Sequence, residues 1–183
     1  GWYPGYTDAW PVFRGAVGIL YEQARIAEDG VRRPEGRILS YRESVFHHVI
    51  SSFANLRTVQ ANGKQLLENF HAVRQRACAA DGPYAKRTFA VLPTANRGRL
   101  NRFLQVAQLH GLEIFQATNE LSVASATDQL GREVKDRKLP AGTILIPNRQ
   151  PLGHLVAAAL EFDPRIPPKA LEDERQEILR KGQ

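Results

Sequence analysis

His110-Gly-Leu-Glu113 sets an imidazole and a carboxylate at the H-x-x-E spacing, which on a helix puts two metal ligands on one face. Here Gly111 ends a helical pattern between them, so Glu113 falls on the outside of the strand-like run LEIFQ and the two groups do not converge. His47 and His48 are adjacent on a helical pattern; they point about 100° apart and cannot chelate together as an i, i+4 pair does. His71 and His154 have no partner at ligand spacing and read as helix-surface residues. The single cysteine, Cys78, has no partner for a disulfide, a thiolate zinc site or a CxxC redox pair. Glu22 stands apart, because it follows the apolar run AVGILY at the exit of an expected strand, Ala16 to Tyr21. By its residues alone it is either the first solvated group after a buried strand or a carboxylate held still enough to move a proton. Tyr3 and Tyr6 share the Tyr-Pro-Gly-Tyr turn, whose rings either pack inward or face a ligand.

The elements that would carry these groups follow from the pattern. Ser40-Tyr-Arg-Glu43 is a capping box, so a helix is expected from Tyr41 with Val45, Val49, Phe53 and Leu56 on its apolar face. Asn62-Gly63 is expected to break it, and Leu66, Phe70, Val73 and Ala77 then mark a second helix packing back antiparallel. Ala79-Ala-Asp-Gly-Pro83 reads as a linker. Beyond it, a strand at 89–92, a helix at 97–110 and a strand at 112–116 form a β-α-β unit with parallel strands. Strands at 131–134 and 143–146 flank a Pro140-Ala-Gly142 turn, and a helix spans 151–161.

The composition is that of a globular chain, 183 residues with 43% hydrophobic and 24% charged. No run approaches the roughly 18 to 20 apolar residues of a membrane span, and the first residues lack the regions of a signal peptide. The net charge of +6 is spread evenly: residues 1–80 hold 10 Lys/Arg and 7 Asp/Glu, residues 81–183 hold 15 and 12. A nucleic-acid face would concentrate the charge, and the dense spots Arg97/Arg99/Arg102 and Arg132/Lys135/Arg137/Lys138 have few aromatics between them, so they read as solvated surface. A chain without methionine that opens on Gly1, Trp2 and Tyr3 is expected to be a piece of a longer polypeptide.

The string Tyr3-Pro-Gly-Tyr-Thr-Asp-Ala-Trp-Pro11 followed by Arg14-Gly-Ala-Val-Gly-Ile-Leu-Tyr-Glu-Gln-Ala24 resembles the C-terminal part of the catalytic domain of bacterial zinc carboxypeptidases of the carboxypeptidase A kind. In that family a Tyr-bearing loop precedes a strand ending in the catalytic glutamate. The resemblance implies that Glu22 is the general acid/base acting on a zinc-bound water, that Tyr6 or Tyr3 closes over a peptide substrate, and that the parent is periplasmic or secreted. It also implies an α/β fold with two parts. Residues 1–80, a strand plus two helices, would end the peptidase domain. Residues 84–163 resemble a class I glutamine amidotransferase-like, flavodoxin-like α/β domain, and 164–183 form a helical tail.

Two absences shape the expected chemistry. The family's H-x-x-E pair, later His and carboxylate-gripping Arg precede the catalytic glutamate; no His lies before Glu22, so the zinc ligands are expected outside this sequence and the chain alone is expected to be inactive. Glutamine hydrolysis needs a nucleophilic Cys on a strand-to-helix elbow, whereas Cys78 ends a helical run. The turn Pro93-Thr-Ala-Asn-Arg-Gly98 before the third helix could hold an anion but is neither a P-loop nor a GxGxxG fingerprint. The competing reading is a non-catalytic α/β binding or interaction module.

Overall fold

The computed structural model describes residues 5–22, 30–161 and 168–182. The chain is mixed α/β, and it divides into two compact units, residues 1–86 with 149–155, and residues 87–148 with 156–183.

The first unit is built around one long helix. A short turn of helix, α1 (Ala9–Val12), and a two-residue antiparallel pair, β1 (Val31–Arg32) with β2 (Ile38–Leu39), precede α2 (Tyr41–Cys78). The capping box is present in full: Ser40 Oγ accepts from the Glu43 amide at 3.3 Å, and Glu43 Oε2 accepts from the Ser40 amide at 2.9 Å. Arg37 adds an ion pair to the same carboxylate. The break expected at Asn62-Gly63 takes the form of a kink between two helical stretches, without the expected antiparallel return. Only Asn62 leaves helical dihedrals (φ −117°, ψ 16°), its side-chain amide donates to the Thr58 carbonyl at 2.9 Å, and the helix continues. Asn followed by Gly costs about 1 kcal/mol of helix propensity, which weakens a helix without reversing its direction. Leu66, Phe70 and Val73 therefore extend the same helix instead of folding back on it.

A second correction concerns the strand expected at Ala16–Tyr21. These residues are irregular and exposed, and among the described residues no strand lies beside them. The apolar pattern is there, but a strand exists only when a neighbour takes its amides and carbonyls. The segment is nevertheless fixed at its start. Gly15, at φ +85°, lies where a Cβ would come within 2.6 Å of the Arg74 guanidinium, and Arg74 donates to the Arg14 carbonyl at 2.7 Å.

The expected linker after α2 is a tied-down run of turns. Gly82 and Ala85 donate to the Ala79 and Gly82 carbonyls, Arg76 pairs with Asp81 at 2.9 Å, and Arg149 donates to the Cys78 carbonyl at 2.7 Å.

The second unit has the larger core. Strand β3 (Thr88–Val91) leads to α3 (Arg97–Leu109), followed by β4 (Phe115–Gln116), the pair β5 (Leu121–Thr127) and β6 (Glu133–Leu139), then β7 (Ile144–Pro147). Helix α3 ends in a Schellman motif around Gly111 (φ 77°), with the Gly111 amide on the Gln108 carbonyl and the Leu112 amide on the Ala107 carbonyl. The parallel pairing expected of the β-α-β unit is replaced by the order β3-β7-β4, with β7 antiparallel to both neighbours. Strands β3 and β4 do run in the same sense, but β7 separates them. The strand expected at 131–134 is longer and pairs with β5, not with β7. Both strands of that hairpin shift their burial alternation by one residue at Ala124 and Asp136, and Asp136 takes φ 49° there, which breaks the period-2 signal in the sequence.

Strand β7 forms the centre of this unit: Ile144 and Ile146 are buried, with Thr143 and Asn148 at its two ends. Helix α4 (Gly153–Leu160) adds buried Val156, and α5 (Pro168–Lys181) closes the chain. Helix α4 begins two residues later than expected, since Pro151 and Leu152 form the turn before it.

Candidate functional site

Glu22 lies at the end of the irregular segment 16–22, exposed, and among the described residues it makes no hydrogen bond or ion pair. Before it, Tyr21 donates its phenol to Asn55 Oδ1 of α2 at 2.8 Å, which places the end of the segment beside the middle of that helix. Gly18 fits closely against the start of α1, where an added Cβ would meet the Asp8 carbonyl at 2.1 Å. These two contacts position Glu22. Tyr6 occupies the turn before α1, with its ring about half exposed and its carbonyl accepting from the Ala9 and Trp10 amides. Tyr3 lies outside the described residues.

The histidines stay apart. His47, His48 and His71 are exposed along α2, His110 caps α3, and Glu113 is exposed beyond it. Among the described residues no group of three His, Cys, Asp or Glu side chains is placed to hold a metal ion. His154 has a partner that sequence spacing could not show: its Nδ1 shares a hydrogen bond with Tyr84 Oη at 2.8 Å, the rings meeting edge to face. Seventy residues separate them in the chain, so only the fold brings them together.

At the start of α3 the amides that an anion would use are taken up locally. Asn96 Oδ1 accepts from the Arg99 amide at 3.0 Å and the Ala95 carbonyl from the Arg97 amide at 2.9 Å. The turn Pro93–Gly98 is thus a self-capped helix start. Cys78 ends α2, partly buried, away from any strand-to-helix elbow.

A polar cluster that the sequence did not announce sits in the second unit. Arg87 Nε donates to Asn148 Oδ1 at 2.7 Å and Nη1 to Glu161 Oε2 at 2.5 Å, with the guanidinium 5.0 Å from the Phe89 ring centre. Asn148 is fully buried and its amide donates to the Arg87 carbonyl, so the cluster ties the exit of β7 to the entry of β3 and the end of α4. Its groups satisfy one another, which suits an anchor better than a reactive centre.

The carboxylates held well below the ordinary range are likewise structural. Glu43 is lowered to about 2, first by the Ser40 amide, then by the Arg37 guanidinium and the Ser40 hydroxyl. Arg76 lowers Asp81, and the Arg132 amide and guanidinium lower Asp128 in the turn between β5 and β6. No helix among the described residues is long and apolar enough to cross a membrane. No family model, curated protein or solved structure matches the chain.

Proposed function

We propose that the chain is part of a zinc carboxypeptidase-like hydrolase, with Glu22 as the residue that takes and returns the proton during peptide-bond cleavage. The supporting observation is the segment that carries it. Residues 16–21 have the composition of a buried strand, yet they are exposed, and they end on a solvent-facing carboxylate. A strand laid beside this segment would fix Glu22 without altering its own surroundings, as a general base requires. Tyr6, half exposed in the turn before α1, is the chain's candidate for contact with the substrate, with Tyr3 as the alternative.

The described residues do not fit a zinc site, since they hold no convergent set of three ligands. In this reading the zinc is therefore held by another polypeptide segment, and the contribution of this chain is limited to a proton at the Glu22 carboxylate. The amidotransferase-like resemblance of residues 84–163 brings no glutaminase chemistry, because Cys78 is the sole thiol and lies outside that range.

A second reading, a non-catalytic interaction module, draws on the exposed apolar face of α2, which needs a protein neighbour whether or not chemistry follows. Rates measured with the metal-bearing part present separate the two. Glu22→Gln, at matched zinc content, is expected to lower kcat on a peptide substrate by about 10² to 10⁴. Glu35→Gln, an exposed control, is expected to cost less than about threefold. Equal rates for both variants refute the hydrolase assignment of Glu22.

A further inference from the structure

We infer that α2 pairs antiparallel with α2 of a second copy of this chain, along the side that its own unit leaves open. The cover from its own chain lies mainly on one side. Ser44 is buried, Ser51 and Asn55 are half-buried, and at about 100° per residue these three share one side of the helix. Tyr21 reaches the helix there, through Asn55. Roughly opposite, steps of three and four residues run from Phe46 to Phe70, the a and d spacing of a coiled coil, and the apolar residues on them are 40% to 71% exposed. Arg74, at the next a position, lies over the Phe70 ring and ends the row.

The row is complementary to itself when reversed. An antiparallel copy centred on Thr58 sets Phe46 on Phe70, Val49 on Leu67, Leu56 on Gln60 and Phe53 on Gly63. Gly63 has open space where a Cβ would stand, which gives the Phe53 ring of the other copy its place. A parallel pair would stack Phe53 on Phe53 and leave Gly63 facing Gly63, a clash beside a void. At the kink, the departures of Asn62 from helical φ and ψ are opposite in sign and nearly equal, so the winding is kept and the row stays in phase. With Val45, Val59 and Val73 on its flank, the row offers on the order of 800 Å² per copy, the area each partner gives to a standard stable interface.

Charge gives the pairing a signature. Between Glu43 and Arg57, α2 has no Asp, Glu, Lys or Arg, so the first half of the row is free of repulsion. Arg57 and Lys64 both occupy e positions, which an antiparallel two-fold pair brings near each other across the seam. Salt screens that repulsion, so a dimer tightens with ionic strength where an acidic partner would loosen. The pairing goes beyond the hydrolase reading and leaves it untouched, because the segment that ends at Glu22 meets α2 through Asn55, on the other side.

Sedimentation of the full chain tests this. An interface of that size is expected to give a reversible dimer with a Kd of about micromolar or tighter. Phe53→Asp is expected to weaken it at least about tenfold, while Leu109→Asp on exposed α3 leaves it unchanged. Phe53→Ala, which opens a void, and Gly63→Phe, which overpacks, are each expected to weaken it at least about fivefold, and the double variant to return within about threefold of the parent. Within one chain the two positions are about 15 Å apart along the helix, so that recovery arises between copies. A chain that stays monomeric at about 100 µM overturns the pairing, whether or not it binds phosphatidylglycerol vesicles. A dimer that Phe53→Asp leaves intact, or that loosens as salt rises, overturns the seam, and losses that add in the double variant overturn the antiparallel register.

Discussion

Ile146 is fully buried at the middle of β7, opposite Phe89 of β3. Truncation to Ala removes three carbons, worth about 0.8 kcal/mol each in transfer from water. The incompletely relaxed cavity adds to that, giving a loss of about 3 to 4 kcal/mol. Against a typical domain stability of about 5 to 15 kcal/mol the variant forfeits a large share of its unit's stability, and at about 4 to 8 °C per kcal/mol its midpoint falls by more than about 12 °C. Ile146→Val, with one carbon removed, is expected to lose about 1 kcal/mol. Leu109→Ala, at a position 81% exposed, is expected to stay within about 0.5 kcal/mol of the parent. Both tryptophans, Trp2 and Trp10, belong to the other unit, so their emission is the wrong probe. Exchange of the β3 and β7 amides in increasing urea reports the opening of the right sheet. A loss below about 1 kcal/mol for Ile146→Ala, or one equal to that of Leu109→Ala, would refute the placement of β7 as the central buried strand.

Glu43 carries a pH signature whose sign follows from its lowered pKa. The folded state favours the ionised form, so the capping contribution is present above about 4.5 and lost as pH falls through about 2; helix content by circular dichroism should drop more in the parent than in Glu43→Gln over that window, and equal curves would deny the capping box. Gly63→Ala meets open space inside α2 and is expected to stabilise the helix by about 0.5 to 1 kcal/mol in thermal melts. Gly18→Ala drives a Cβ into the Asp8 carbonyl and is expected to cost about 1 to 3 kcal/mol, read from Trp10 emission in α1; a neutral outcome means the segment does not rest on α1. Brief chymotrypsin treatment is expected to cut after Tyr21, in the irregular exposed segment, well before Tyr84, which His154 holds; the opposite order would show that the turns at 79–86 open first.

What the sequence made legible was local. Ser40 and Glu43 sit three apart, and their mutual hydrogen bonds need no other part of the chain, so the start of α2 could be placed to the residue. Gly111 announced the end of α3 for the same reason: the Schellman bonds close within six residues. Strand pairing is a different kind of information. Nothing in FAVL or TILI states that β7 inserts between β3 and β4, because β7 lies more than fifty residues from β3 and about thirty from β4. Strand β5, LSVASAT, was missed because its small polar residues and the shift of face at Ala124 hide the alternation. Glu22 shows the limit at the candidate site. Its place after an apolar run was plain, but whether that run is a strand depends on a neighbour that the run itself does not encode.

The two units differ in how they settle the same demand. In the second, Leu112, Ala117, Leu139, Ile144, Ile146 and Val156 are buried around β7, and Arg87, Asn148 and Glu161 satisfy one another at its edge. In the first, the buried apolar residues among those described are Leu39, Ala77 and Leu155, while Val, Ile, Leu and Phe side chains lie exposed along α2 and the segment before it. Hydrophobic burial is the main favourable term in folding, and most helical stability comes from packing, which this 38-residue helix has in small measure. The first unit is therefore expected to open locally at lower free energy than the second. Native-state exchange in which the α2 amides open at lower urea than those of β3 and β7 is the pattern this asymmetry requires, and equal protection of the two refutes it.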